Sequence, residues 1–276
     1  MRSEIDLHTH STASDGALSP SALVQRAAES GVRRLAVTDH DTLDGLEEAD
    51  AAARRHDVEL VPGVEISVTW CRRTLHVVGL AVDPADARLR RGLHELVDVR
   101  CRRAQRMAEK LARAGVDDAL GGARRVAGGR VPGRVHFARL LVEQGVVPDV
   151  QTAFRRYLRR GKPGYASTTW APLEEAVSWI RGAGGVAVLA HPLKYGMTNV
   201  WLRRTAEAFR QAGGDGIEVV SGLEDAGRVS RAAALARRFA LAGSVGSDFH
   251  EPGRPWQEVG RLRGLPVDVP AVWAGW

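Results

Sequence analysis

Short apolar runs alternate along most of the chain with longer segments whose apolar positions recur at helical spacing. That alternation predicts βα units feeding a mainly parallel sheet. Ile5-Asp6-Leu7 begins the first strand. Ser19-Pro20 then opens a helix, with a capping serine and a proline at the first position, that closes near Gly31. Leu35-Ala36-Val37 is the next strand, a helix runs over about 43–55, and Glu59 to Val64 is a third strand. Residues 69–74 read as a turn into an apolar segment from Leu75 to Val82. Further on come a helix from Leu173, a strand over 186–190, a helix from Val200, a strand over 216–220, a helix from Glu224 and a strand over 240–245. Six or seven strands with intervening helices predict a barrel-like α/β fold.

The rhythm breaks between about Arg100 and Trp170, where helical stretches, the pairs Gly121-Gly122 and Gly128-Gly129, and clustered arginines occur without a convincing strand. We read 100–170 as a helical insertion, with 1–99 and 171–276 forming the barrel. Charge separates the two parts. The 276 residues carry 39 basic and 33 acidic side chains, a net +6, and all the basic residues except Lys110, Lys162 and Lys194 are arginine. Residues 100–170 hold 16 basic and 5 acidic side chains, a net +11, which leaves −5 for the rest. A concentrated basic region suits an anionic partner, because guanidinium binds phosphate in a bidentate fork. The plainer alternative is a solvated arginine surface, which is the expectation for Arg102, Arg103 and Arg106.

At 44% hydrophobic and 26% charged, the composition excludes disordered and fibrous classes. There is no run of about 18 apolar residues, and Met-Arg-Ser-Glu-Ile-Asp lacks the apolar core of a signal peptide. The expectation is a soluble cytoplasmic protein with no membrane role and no obligate protein partner. Cys71 and Cys101 are too few for a disulfide framework and are expected to be free thiols.

The histidines carry the candidate chemistry. His8 and His10 stand two apart after the first strand, so extended backbone points both to one side, and Asp15 follows five residues on. His40 follows the second strand in Thr38-Asp39-His40-Asp41, and Glu65 follows the third in Gly63-Val64-Glu65. His191-Pro192 follows the strand ending at Ala190, and Ser247-Asp248-Phe249-His250 follows the last strand with the two-apart spacing repeated. In a parallel barrel the C-terminal strand ends converge on one face, where active sites lie. His76 sits near the start of its segment and reaches that face only if 65–82 forms a hairpin. Any one of these histidines alone would be read as a hydrogen-bonded scaffold residue. Together, six histidines with Asp15, Glu65 and Asp248 exceed the needs of one ion, and suit two or three borderline-hard divalent ions with open positions. Glu65 and Asp248 are the candidates to bridge. Such ions about 3.5–4 Å apart would lower the pKa of a bridging water and clamp a phosphoryl group for in-line attack. His56 and His94 have helical surroundings and are expected on the surface, while Trp70, Trp170, Trp179 and Phe137 are expected to pack rather than to stack on bases.

The ordered set Asp6-Leu7-His8-Thr9-His10, Ser14-Asp15-Gly16, Thr38-Asp39-His40-Asp41, Gly63-Val64-Glu65, His191-Pro192 and Ser247-Asp248-Phe249-His250 resembles the motifs of the PHP family, named for polymerase and histidinol phosphatase. The resemblance implies a distorted (β/α)7 barrel and three divalent ions, manganese first, with zinc or iron as alternatives. By that resemblance His8, His10, Glu65 and Asp248 would hold one ion, Glu65, His76 and His191 a second, and Asp15, His40 and His250 the third. Glu65, Asp248 and His191 would be the residues at the reacting centre. The helical insertion, with Gly133-Arg134-Val135-His136 and Gly161-Lys162-Pro163-Gly164-Tyr165, resembles the branch that removes the 3′-phosphate from nucleoside 3′,5′-bisphosphates and is related to enzymes that trim short RNA from the 5′ end. It implies a small nucleotide or short RNA as partner, with Arg134, His136 and Lys162 receiving the phosphate that is not cleaved. Lys194 would contact phosphate where this branch carries arginine, keeping the charge and losing the bidentate fork. A 5′-3′ exoribonuclease and a histidinol phosphatase are the other enzymatic readings; a basic nucleic-acid-binding module is the non-enzymatic one.

Overall fold

The computed structural model describes residues 2–276. The chain divides into two compact units, one holding Met1–Leu93 and Ala171–Trp276 and the other His94–Trp170.

The first unit is a mixed α/β barrel. Its strands are β1 (Ile5–Asp6), β2 (Arg34–Val37), β3 (Glu59–Trp70) and β4 (Arg73–Leu80), then β5 (Ala171–Pro172), β6 (Val186–Leu189), β7 (Gly216–Ser221) and β8 (Ala242–Gly246). They pair in the order β1-β2-β3-β4-β6-β7-β8, and the short β5 adds to β3. The ring is closed past the ends of the outer strands. Leu7 N–H donates to Val245 O (3.0 Å), Asp248 N–H to His8 O (2.9 Å) and His10 N–H to Phe249 O (2.9 Å). These bonds tie the segments carrying His8, His10 and Asp248 directly to one another.

Helices α1 (Pro20–Glu29), α2 (Leu46–His56), α7 (Leu173–Gly182), α8 (Asn199–Gln211) and α9 (Ala226–Arg238) separate the strands. Their starts follow from side-chain caps. Ser19 Oγ accepts from Ala22 N–H, and Asp225 accepts from Arg228 N–H, so α9 begins at Ala226 and not at Glu224. Strand alternation divides the core in two. Ala36 and Val61 turn inward with Leu7, Val78, Leu80, Val188 and Ala190, while Leu35 and Val37 face outward against Leu23, Val24, Ala49 and Ala53 of α1 and α2.

All the pairings within the closed ring are parallel except those of β4, which is antiparallel to β3 and to β6. The β3–β4 hairpin is longer than its sequence pattern announces, because only Cys71 and Arg72 form the turn, at φ 46° and 61°. Positive φ at both central positions is the type I′ signature, whose twist matches a right-handed hairpin. The hairpin carries His76 back to the C-terminal rim, where Ala190 N–H donates to His76 O at 3.1 Å, next to His191.

The second unit has its own core. It contains most of the long helix α3 (Ala87–Ala112), with α4 (Ala119–Val126), α5 (Arg134–Glu143), the short α6 (Val150–Ala153) and a π-helical turn over Phe154–Leu158. Met107, Leu111, Phe137, Leu140, Leu141 and Leu158 are buried together. Arg102 and Arg106 are exposed as expected. Arg103 is a correction: it is half-buried, and its guanidinium, with that of Arg100, stands 5.3 Å from the centroid of the Trp170 ring. A flat, weakly hydrated cation is attracted to an aromatic face at such a distance. Both cysteines are free and exposed. No helix among the described residues is long and apolar enough to cross a membrane.

Candidate metal centre

The barrel's C-terminal rim gathers all nine expected donors. Ligand placement begins with backbone that only particular residues tolerate. A Cβ on Gly246 would lie 2.3 Å from the Cβ of His8, and one on Gly16 would lie 2.3 Å from His10 O, so both positions must be glycine for the neighbouring segments to approach. Asp248 (φ 56°) and His191 (φ 29°) have positive φ without being glycine. Such conformations cost about 1–3 kcal/mol and persist where the surrounding structure enforces them, commonly at functional sites. Buried carboxylates brace the loops. Asp39 accepts from Ser11 N–H (2.8 Å), Ser11 Oγ (2.6 Å) and Ser14 Oγ (2.6 Å), and Asp6 accepts from Ser247 N–H (2.8 Å) and Gly260 N–H (2.9 Å). Asp41 accepts from Ser67 N–H at 2.6 Å.

Glu65 is the hub. Its side chain is fully buried. Oε1 lies 2.9 Å from His76 Nδ1 and 3.0 Å from His191 Nε2, and Oε2 lies 2.9 Å from His40 Nδ1 and 3.3 Å from both His8 Nε2 and His10 Nε2. Yet Oε2 accepts no hydrogen bond of acceptable geometry, and neither His10 Nδ1 nor His40 Nδ1 makes one. Buried polar atoms without partners are rare in folded proteins and require an explanation.

A cation supplies one. Donors that share an ion at about 2.1 Å, 90–110° apart, stand about 3.0–3.4 Å from one another. His8 Nε2 and His10 Nε2 are 3.1 Å apart, each 3.3 Å from Glu65 Oε2, and they lie 3.7 and 3.5 Å from Asp248 Oδ1. His8, His10 and Asp248 converge as one donor group, and Glu65 Oε2 stands at ligand spacing from both of its histidines. A second convergence brings His10, Asp15, His40 and His250 together, with His250 Nε2 3.4 Å from Asp15 Oδ1. His40, Glu65 and His76 form a third group, as do His8, Glu65 and His191. His40 thus lies between Glu65 and Asp15, touching both groups. The donor set is nitrogen and carboxylate only, which suits zinc, manganese or iron.

Charge balance points the same way. Burial pushes the Glu65 carboxyl up, but His76, His40 and His8 outweigh it and hold it well below the usual range. Burial likewise opposes ionisation of Asp248, and Lys194, with His10 and His250, overrides it. Burial pushes His10 down, but contacts with Asp248 and Glu65 raise it to about 10, whereas burial dominates at His40 and lowers it to about 4. The carboxylates are kept ionised and the cluster attracts positive charge.

Two contributors lie outside the set that sequence reasoning singled out. Glu218, on β7, places Oε1 2.5 Å from His8 Nδ1, while its Oε2 accepts from His191 N–H at 2.6 Å. Engaging Nδ1 leaves Nε2 of His8 as the ligand nitrogen, the arrangement by which a carboxylate orients a metal-binding histidine. Its signal in the sequence is a lone glutamate inside Gly216-Ile217-Glu218-Val219-Val220, where a strand buried on both faces otherwise excludes charge. Gln257 is the other: its Nε2 donates to Asp248 O (3.0 Å) and Oδ2 (3.2 Å).

The remaining expected residues are placed as follows. Lys194 Nζ donates to Asp248 Oδ2 at 2.8 Å, with a third of its side chain exposed. In the helical unit Arg134 and Lys162 are exposed, whereas His136 is buried at the start of α5 and its Nδ1 accepts from Gly133 N–H at 2.9 Å. His56 and His94 are exposed and lie outside every donor group.

Fold and site together define an α/β barrel whose rim carries a donor cluster suited to divalent cations. The model of the PHP domain matches residues 6–121. The chain is 46% identical to the 3′,5′-nucleoside bisphosphate phosphatase of Chromobacterium violaceum, over 98% of this chain and 95% of that one. It is 43% identical to a 5′-3′ exoribonuclease of Haemophilus influenzae, over 99% of both. A solved structure described as an amidohydrolase of Chromobacterium violaceum, with bound sulfate and no metal, matches with a TM-score of 0.93 and 46% identity over 98% of this chain and 94% of that one. The chain belongs to the PHP family, and it is a hydrolase of phosphate esters.

Proposed function

We propose that the chain removes the 3′-phosphate from nucleoside 3′,5′-bisphosphates, leaving a nucleoside 5′-monophosphate and phosphate, and that it does so with three divalent ions, manganese first. The observation that carries this reading is the cluster of nine donors that includes Glu65, in a chain that aligns almost end to end with a bisphosphate phosphatase. Sulfate, held in the similar solved structure, is a tetrahedral dianion of phosphate's shape.

Divalent ions at such a centre lower the pKa of water and offset charge on the transferring phosphoryl group. The protein's part is to hold them. Glu65, Asp248 and His191 stand at the reacting centre, and Glu218 fixes the ring of His8 through Nδ1. Lys194, one of only three lysines, brings a cation to the edge of Asp248 and is the proposed contact for the departing phosphate. Arg134, His136 and Lys162 are the proposed contacts for the phosphate that is kept, in a region of net charge +11.

Purified protein with manganese is expected to release phosphate from adenosine 3′,5′-bisphosphate at least about a hundredfold faster than from AMP, because AMP is the product, has no 3′-phosphate and could present its 5′-phosphate for cleavage only by giving up the second phosphate contact, worth a few kcal/mol. Equal turnover of the two overturns the assignment. The second reading, 5′-3′ exonuclease action on short RNA, is favoured by the Haemophilus influenzae relative. It predicts mononucleotides from a 5′-phosphorylated oligoribonucleotide, and their absence counts against it.

A further inference from the structure

Beside the donor cluster lies a cavity of about 300 Å³. Its charged lining is Asp248, Lys194 and Glu224, the last paired with Arg228 at 2.9 Å, and Ser221, Leu223, Trp256 and Gln257 complete it. Trp256 is 58% exposed and Leu223 37%, so two of the five large exposed apolar side chains among the described residues open onto this one cavity. Exposed indole costs solvation free energy unless a ligand covers it.

The ring is mounted on firm backbone. Trp256 lies in a 3-10 turn over Pro255–Gln257, and its carbonyl accepts from Leu223 N–H at 2.7 Å. The approach is so close that a Cβ on Gly222 (φ 72°) would stand 2.5 Å from Trp256 O. The next residue, Gln257, donates through Nε2 to both oxygens of Asp248 named above. The aromatic side chain is therefore one residue removed from a direct contact with a candidate metal ligand. Ser221 also lines the cavity, with its Oγ enclosed.

We propose that this cavity is the nucleobase subsite: the base stacks on Trp256 against Leu223, and the 3′-phosphate of the bisphosphate lies toward Asp248 and Lys194. This deepens, and rests on, the reading of the substrate as a nucleotide. A flat π-face in a cavity that also holds Lys194 and Asp248 of the candidate metal centre matches the aromatic and anionic parts of a nucleotide. An alkyl or sugar phosphate would leave the indole uncovered. Base stacking on an aromatic side chain is worth about 5- to 150-fold in affinity by alanine substitution.

The test is calorimetric binding of AMP and of ribose 5-phosphate to the manganese-loaded protein, as wild type, Trp256→Ala and Trp256→Phe. Wild type is expected to bind AMP about tenfold or more tightly than ribose 5-phosphate. Trp256→Ala is expected to erase that difference by weakening AMP alone, and Trp256→Phe to keep most of it. The proposal is overturned if wild type fails to discriminate, if Trp256→Ala binds both ligands as wild type does, or if it weakens both equally. These binding ratios stand apart from turnover of the 3′,5′-bisphosphate, so loss of the bisphosphate assignment and loss of the base subsite are read separately.

Discussion

Replacing Asp248 with Asn is expected to lower kcat/KM for phosphate release about a thousandfold or more while leaving the barrel folded. The two carboxylate oxygens have different tasks. Oδ1 faces His8 Nε2 and His10 Nε2, and Oδ2 accepts from Lys194 Nζ and Gln257 Nε2. An amide cannot serve both sides. With its NH₂ toward the histidines it offers donors where a cation is expected, and with its NH₂ toward Lys194 and Gln257 it sets donor against donor. Either orientation also removes one negative charge from the centre. Metal ions contribute several kcal/mol of charge stabilisation in the transition state, and about 4 kcal/mol corresponds to a factor near a thousand. The backbone is held independently, since Asp248 N–H donates to His8 O at 2.9 Å. Phosphate-release kinetics beside thermal melting checks this, and a variant within tenfold of wild type contradicts the role given to Asp248.

Glu65→Gln is expected to act on metal content itself. Five imidazole nitrogens surround one carboxylate within 3.3 Å, and the substitution keeps its shape while deleting its charge. The rings then lose their shared anion in a fully buried position, where removing one partner of a charge cluster costs about 3–5 kcal/mol. Metal content by elemental analysis is expected to fall by at least one ion per chain after dialysis, with phosphate release falling below detection. Unchanged metal content would remove Glu65 from the centre.

Much of this was legible in the residues, for identifiable reasons. Strands and helices announced themselves through periodicity and through caps such as Ser19-Pro20, since these depend on neighbours in the chain. The donors were legible because a ligand at a strand end keeps its residue type: imidazole or carboxylate. His76 needed one further step, the β3–β4 hairpin, and the antiparallel register of Ser67 with His76 supplies it. What stayed hidden depends on residues distant in sequence. Lys194 reads as a phosphate contact, whereas its partner Asp248 lies 54 residues away. Glu218 engages His8 across 210 residues, and only a charge misplaced in an apolar strand hints at it. The positive φ of Asp248 and His191 has no signature in residue type, because both are enforced from outside. Arg103 reads as a solvated helix face, and its stacking on Trp170 follows from where the helical unit returns. Trp256 drew no notice as one loop aromatic among seven tryptophans, since exposure beside Asp248 is a tertiary property.

These nine side chains are expected to hold divalent ions on which phosphoester hydrolysis depends. The most direct test is one preparation carried through elemental analysis and phosphate release, before chelation, after chelation and after return of manganese. More than one ion per chain is expected at the start and three at saturation, with activity lost in step with metal removal and recovered on manganese return. Full hydrolysis by protein stripped of metal would contradict that dependence.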